Sequence, residues 1–202
     1  METPHRKGQI QILILLICCL LGPIWAYSQR AVNVERVLKS AERWEGVREL
    51  TGNNDHPLIS KSMKLCGLRG DRKYPWCASS QADIFYHAGM SAPLSAAVTD
   101  WFRSNVVWKK EWGEMQFHAP GMVGALYYAH LGRYGHIVLI VGEDKNNFYC
   151  KEGNTNNGGS REGDGFYNTI RSKKSIAALA DYCLTGNEFI KEYDFYLQKV
   201  MK

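Results

Sequence analysis

The sequence is poor in cysteine and contains no C-x-x-C pair. Its 202 residues include six cysteines, too few for a small fold held together by disulfides. The lack of C-x-x-C also argues against a zinc ribbon or a thioredoxin-type site. Internal repeats and low-complexity linkers are absent as well, which excludes a repeat array.

The sequence also lacks a strong excess of either positive or negative residues. Lys and Arg number 25 and Asp and Glu 20, and the net charge of +5 suits an anionic partner without requiring one. No segment resembles a nucleic-acid-binding motif, so we expect no nucleic-acid partner. With 45% apolar and 12% aromatic residues the chain is not largely disordered, and its length fits one domain.

The first 28 residues are typical of a cleaved secretory signal peptide. Arg6-Lys7 makes the start positive, residues 10–21 are almost wholly apolar, and Ala26-Tyr27-Ser28 offers the small residues that a signal peptidase reads. An uncleaved anchor is the alternative, but the apolar stretch is shorter than the roughly 20 residues that a span needs. We therefore expect residues 1–28 to be removed, residues 29–202 to form one domain, and the protein to be secreted or periplasmic.

After this segment the chain changes from helical to β-type patterning. The spacing of apolar residues predicts helices over 33–44, 57–67, 76–87 and 95–102, strands over 122–128, 137–141, 148–151 and 167–171, and a terminal helix over 188–201. Helices first and an antiparallel sheet second predict an α+β domain.

Cys77 is the sharpest candidate for chemistry. Pro75 and Trp76 precede it, which places it in the first turn of the third helix. Unpaired backbone N–H groups and the helix dipole at that end favour a thiolate over a thiol, and the adjacent amides can hold an oxyanion. A buried structural cysteine is the alternative.

Two later segments carry polar groups that could act on this thiol. His136 follows Gly135 and opens the apolar strand, so it is expected at the mouth of that strand. In a hairpin that turns near residue 144, Glu152 falls opposite residue 137. Either Glu152 or Asn154 can then reach the distal imidazole nitrogen and fix its tautomer, unless Asn154 only shapes the turn.

Five short segments form a recognisable combination in this order. They are Gly46-Val47-Arg48-Glu49, Gly52-Asn53-Asn54, Pro75-Trp76-Cys77-Ala78, Gly135-His136 and Glu152-Gly153-Asn154-Thr155-Asn156. The combination resembles CHAP-type cysteine peptidases of the papain-like superfamily, which are common in phage endolysins and bacterial cell-wall enzymes. The resemblance implies a papain-like fold, with N-terminal helices packed on a small antiparallel sheet.

The resemblance also implies roles for individual residues. Cys77 would be the nucleophile, His136 the general base, and Glu152 the residue that orients His136, with Asn154 as an additional polar member or its substitute. One departure is that the helix after Cys77 is usually strongly apolar in this family, whereas residues 79–83 here are largely polar. This puts the packing of the helix in question rather than its chemistry.

Substrate contacts are predicted at four further positions. Tyr74 and Asn54 are candidates for the second donor to the oxyanion. Trp108 and Trp112 lie in an irregular, polar stretch and are candidates for a groove that holds a glycan-peptide strand.

Three cysteines after the signal segment remain once Cys77 is reserved for catalysis. They are Cys66, Cys150 and Cys183, and spacing alone does not choose a pair among them. We prefer a disulfide between Cys66 and Cys183, because Cys150 lies in a predicted core strand.

The patterns of metal sites are not matched. His130 and His136 are separated by more residues than the spacings that place two zinc ligands on one face. The loops over 53–55 and 154–164 do not have the ligand order of an EF-hand. We therefore expect neither a metal nor a cofactor.

These observations lead to one functional hypothesis and two alternatives. The hypothesis is an exported bacterial peptidoglycan hydrolase, an N-acetylmuramoyl-alanine amidase or an endopeptidase, acting as a monomer on peptidoglycan. An inhibitor or a targeting protein could also act on it. The alternatives are a cysteine acyltransferase of the same fold and a catalytically silent wall-binding protein, for which an intact Cys77, His136 and Glu152 would be unexpected.

Overall fold

The computed structural model describes residues 29–115, 118–156 and 163–184. By their contacts residues 33–183 form one compact unit. The predicted signal peptide and the predicted terminal helix lie outside the described residues. Within those ranges no helix has both the length and the apolar character required to cross a membrane.

Three helices precede the sheet. Helix α1 covers 29–41 and runs into a 3-10 turn at Glu42–Trp44, α2 spans Pro57–Leu65, and α3 spans Cys77–His87. Pro57 starts α2 where a missing N–H costs no hydrogen bond, and the His56 side chain accepts from Leu58 N–H at 3.2 Å. These three predicted helices are confirmed. The fourth is only a 3-10 helix at Val98–Phe102.

Six strands form one antiparallel sheet in the order β1-β6-β2-β3-β4-β5. They are β1 (Val106–Lys109), β2 (Val123–Tyr128), β3 (Arg133–Glu143), β4 (Asn147–Thr155), β5 (Gly165–Ser172) and β6 (Ile176–Ala180). Helices followed by this sheet make an α+β fold, as the sequence predicts.

Strands β1 and β6 are not among the predicted elements. β1 has only four residues, and β6 consists of three alanines with one isoleucine and one leucine. β1 has strand-forming residues, Val-Val-Trp-Lys, but is too short to show an alternating pattern, and β6 has one β-branched residue among five. β6 is a strand because it lies between β1 and β2 and is almost wholly buried there.

Helix α3 packs against β3 and β4, and its residues Cys77 to Phe85 are all buried. Its Ser79 and Asp83 side chains are paired within the core. Ser79 Oγ lies 3.0 Å from Ser62 Oγ, and Asp83 accepts a hydrogen bond of 2.9 Å from the Trp44 indole. Because buried polar groups are stable when they are hydrogen-bonded, this explains how a helix with polar residues can occupy the centre of the core.

The β3–β4 hairpin differs from its predicted register by one residue. Leu139 pairs with Lys151, whereas the predicted register sets residue 138 there. The turn is closed by Asp144 N–H donating to Asn147 O at 3.0 Å, and a bulge between Ile140 and Gly142 shifts the pairing again.

Candidate active site

Cys77 is the first residue of α3, with Trp76 as the N-cap. The N–H groups of this first turn have no partner within the helix, and the positive end of the helix dipole lies beside the thiol. Only 2% of Cys77 is exposed, but it lines a cavity of about 330 Å³. The position predicted from the sequence is therefore the observed one, and it combines burial with access from one side.

His136 lies inside β3 rather than at its mouth, because the strand begins at Arg133. Leu126 pairs with His136 and Tyr127 with Tyr134, which leaves Gly135 as an extra residue in a bulge. A Cβ on Gly135 would meet the ring of Tyr128 at 2.3 Å, so this close approach requires glycine.

Glu152 on β4 contacts the imidazole directly. Oε2 of Glu152 lies 2.7 Å from Nε2 of His136, and both side chains are fully buried. Glu152 therefore holds the ring in one orientation and stabilises its protonated form. The sequence predicted this partnership although it placed the register one residue away.

The Cys77 thiol interacts with the same ring. Nδ1 of His136 is buried and has no hydrogen bond of ordinary geometry to any described residue. The Cys77 thiol acts on the ring electrostatically, as the pKa of His136 shows. Burial by itself lowers the pKa of His136, but the interactions with Cys77 and Glu152 outweigh it and raise the pKa to about 9.

Glu152 has two further partners, which the sequence analysis did not identify. Nε and Nη2 of Arg171 donate to its two oxygens at 2.8 and 2.5 Å, and the Thr169 hydroxyl also donates to it. Burial by itself raises the pKa of Glu152, but the hydrogen bonds from His136 and Arg171 lower it to about 2. The carboxylate is therefore ionised at neutral pH.

The one local signal for Arg171 and Thr169 is their alternation on a predicted strand, which puts them on one face of β5. That signal does not tell which carboxylate they meet. The pairing of β5 with β4, in which Cys150 faces Thr169, brings both side chains to Glu152.

Gly153 allows the beginning of α3 to lie directly on β4. A Cβ at this position would be 2.5 Å from the Trp76 ring and 2.6 Å from Ser80 Oγ. Trp76 is fully buried, lies against Trp44 at 5.9 Å between ring centroids, and donates from its indole to Glu49 at 2.8 Å. These contacts fix the residue that precedes Cys77, and they depend on a glycine between Glu152 and Asn154.

The cavity beside Cys77 is also lined by Cys66, Tyr74 and Pro75. Burial, with a smaller contribution from Asp83, raises the pKa of the Cys66 thiol to about 11. Tyr74 and Pro75 line a second, larger cavity of about 860 Å³ as well. Tyr74 is thus the predicted substrate residue that the structure brings to the nucleophile.

Asn54 and Asn154 line the larger cavity and not the one beside Cys77. The Asn54 side chain donates to the Tyr74 carbonyl at 2.7 Å, so it holds the loop before Cys77 rather than offering a donor to an oxyanion. Asn154 has a left-handed backbone, with φ of 56°, and is buried. The contact to His136 Nε2 is made by Glu152.

Trp108 and Trp112 are not on the walls of either cavity, so the structure does not bring them to the site. Trp108 is buried at the sheet edge, where its indole donates to Gly113 O at 2.9 Å. Trp112 is 43% exposed, and Lys109 lies over its ring. Of the two predicted groove residues, Trp112 is therefore exposed and Trp108 is buried.

The preferred disulfide between Cys66 and Cys183 is not formed. Cys66 ends α2 and lines the cavity beside Cys77, whereas the buried thiol of Cys183 hydrogen-bonds to Gly121 O. The two cysteines thus lie in different surroundings, one at the cavity and one against the backbone of Gly121. Within the described ranges, no three His, Cys, Asp or Glu side chains converge as they would around a metal ion.

Together these contacts assemble a thiol, an imidazole and an ionised carboxylate next to an open cavity and a helix N-terminus. Such a set can perform nucleophilic attack, proton transfer and oxyanion stabilisation. Comparisons of the chain with protein-family models, with curated proteins and with solved structures returned no match.

Proposed function

We propose that this protein is an exported cysteine amidohydrolase that cleaves an amide bond of peptidoglycan. The observation that carries the proposal is the buried series of contacts from Cys77 through His136 to Glu152, which ends at a cavity. The motif resemblance to CHAP-type, papain-like peptidases supplies the substrate class, and the pattern of residues 1–28 supplies the export. The enzyme acts as a monomer on the wall polymer.

The reaction has two steps. His136 takes the proton of Cys77, the thiolate sulfur attacks the amide carbonyl, and an S–C bond forms while the C–N bond breaks. His136 gives its proton to the leaving amine. A water molecule, deprotonated by His136, then attacks the thioester and releases the carboxylic acid and the free thiol.

The electrostatics of the site suit this sequence of proton transfers. Glu152 is negative and lies in contact with Nε2, so the imidazolium that forms on attack is paired as soon as it appears. The backbone N–H groups of the first turn of α3, that of Cys77 included, have no partner within the helix and can donate to the carbonyl oxygen of a substrate amide bound at the thiol.

The test is digestion of purified peptidoglycan, with mass spectrometry of the released fragments. The parent protein is expected to release fragments with new lactyl or peptide termini, and Cys77→Ala is expected to release none. Cys183→Ala is the control, because the buried Cys183 thiol hydrogen-bonds to Gly121 O and lines neither cavity. A Cys77→Ala protein as active as its parent, or a parent that releases nothing, would refute the proposal.

A further inference from the structure

Arg133, at the beginning of β3, lies between two cavities. It lines the cavity beside Cys77 and also a separate cavity of about 860 Å³ on its other side. The two spaces are therefore adjacent, with the exposed residue Arg133 at their junction.

Several lysines and arginines have acidic partners among the described residues. The pairs are Arg43–Asp83, Arg69–Asp71, Arg103–Asp100, Lys109–Glu111, Lys151–Glu45, Arg171–Glu152 and Lys173–Glu143. The Arg133 side chain has neither an ion pair nor a hydrogen bond among the residues that the structure describes. Its five N–H donors are available to a ligand.

The bulge at Gly135 directs Arg133 to the nucleophile. On a regular strand, residues three apart point to opposite faces, so Arg133 and His136 would be separated by the sheet. The extra residue in β3 resets the alternation between them. As a result, Arg133 lines the same cavity as Cys77, the residue that interacts with the His136 ring.

The rest of the cavity beside Cys77 is uncharged. Apart from the two thiols, its described lining consists of apolar side chains, Tyr74, Ser95 and Gly135, so Arg133 is the one permanently charged group there. A guanidinium against such a surface binds carboxylates well, because its planar fork matches both oxygens and few waters compete.

The cavity on the other side of Arg133 also has more positive than negative residues in its lining. Lys110 and Lys174 line it with the rings of Tyr127 and Tyr134, and Glu111 is its one acidic group among the described residues. Lys110 Nζ donates to the Lys174 carbonyl at 2.9 Å, which keeps its charge at this wall. The cavity therefore suits an acidic chain with apolar or sugar surfaces that can lie on aromatic rings.

We propose that Arg133 is the specificity residue of the site and binds a free carboxylate of the substrate next to the scissile amide. The favoured substrates are acidic peptides, and their amidated counterparts are poor ones. The proposal rests on the amidohydrolase function given above and names its substrate class.

The first test uses the charge of a small alkylating agent and does not depend on hydrolysis. Cys77 is modified with iodoacetate, an anion, and with iodoacetamide, its neutral analogue, and the sites are mapped by mass spectrometry. The ratio of the two rates is expected to fall roughly tenfold in Arg133→Gln, the effect of one charge-assisted hydrogen bond, and only partly in Arg133→Lys. Arg36→Gln is the control, since it removes one positive charge from an exposed position on α1.

Cys66 lines the same cavity, but burial raises the pKa of its thiol to about 11, so its alkylation at neutral pH is expected to be slow and is distinguished from that of Cys77 by the site mapping. The second test measures kcat/KM for two synthetic peptides that differ only by a carboxylate or a carboxamide beside the cleaved bond. The parent is expected to prefer the carboxylate about tenfold, and Arg133→Gln is expected to lose that preference.

Failure of the two proposals can be told apart. If the parent cuts both peptides equally and the alkylation ratio is the same in Arg133→Gln, the carboxylate proposal is wrong and the hydrolase proposal stands. If the parent cuts neither peptide nor peptidoglycan, the hydrolase proposal fails, and the alkylation ratio still decides whether Arg133 recognises an anion beside Cys77.

Discussion

Nε2 of His136 lies 2.7 Å from Oε2 of Glu152, and neither side chain is exposed to solvent. Burying two ionisable groups is costly unless they are paired and hydrogen-bonded. Arg171 and Thr169 complete the hydrogen bonding of the carboxylate from β5. The pair is therefore part of a buried network, and removing one member leaves the remaining charges buried without a partner.

Replacing Glu152 by Gln should lower the pKa of His136. The neutral amide removes a negative charge that favours the imidazolium, while the burial that disfavours it remains. We expect the titration of His136, followed by NMR of its ring protons, to move to lower pH than in the parent. Glu143→Gln is the matched control, because Glu143 pairs with the exposed His118 instead. An unchanged midpoint in Glu152→Gln would contradict the assigned partnership.

The stability of the protein should depend on pH through this pair. The pKa of Glu152 is lowered from 4.5 to about 2, so its contribution is present above pH 4.5 and is lost as the pH falls toward 2. The pKa of His136 is raised from 6.5 to about 9, so its contribution is complete below pH 6.5 and is lost as the pH rises through 9. Urea denaturation between pH 2 and 10 should show both declines, and Glu152→Gln should flatten them. A parallel decline in the parent and in Glu152→Gln would rule out this origin.

Replacing Arg171 by Met should lower the stability of the protein. Arg171→Met leaves Glu152 with one fewer charged partner in a buried position, and we expect the free energy of unfolding to fall by about 3 kcal/mol. Arg69→Met is the comparison, because both members of the Arg69–Asp71 pair are exposed and the pair should contribute much less to stability. Equal losses of unfolding free energy in the two variants, measured by chemical denaturation, would show that the buried pair contributes no more to stability than the exposed one.

Gly153→Ala should displace the start of α3. The added methyl group would lie 2.5 Å from Trp76 and 2.6 Å from Ser80, so either the helix or the strand must shift. We expect a loss of about 1–3 kcal/mol in stability and slower alkylation of Cys77. Gly142→Ala is the control, since its nearest neighbour, the ring of Tyr149, is 3.3 Å away and partly exposed. Normal Cys77 reactivity in a folded Gly153→Ala protein would contradict the positioning role.

The parts of the site that sequence reasoning located are those with a local cause. Cys77 at the start of α3 follows from a proline and an aromatic residue before a helical pattern, and His136 and Glu152 follow from a short hairpin. The predicted groove positions of Trp108 and Trp112 were wrong, because an irregular stretch of sequence has no period from which burial can be judged. The Cys66–Cys183 pairing was wrong because spacing contains no information about distance.

The amino-acid sequence by itself determined the starts of α2 and α3 to within one residue, the α+β order and the residue types that could react, because these depend on neighbours a few positions away. Only the tertiary structure decided which face of β3 meets Cys77, since one extra residue at Gly135 reverses the alternation. It likewise decided that Arg171 reaches Glu152 from a strand nineteen residues away in the chain. Such contacts arise from strand register and close packing, which are set by the whole sheet and not by any single segment.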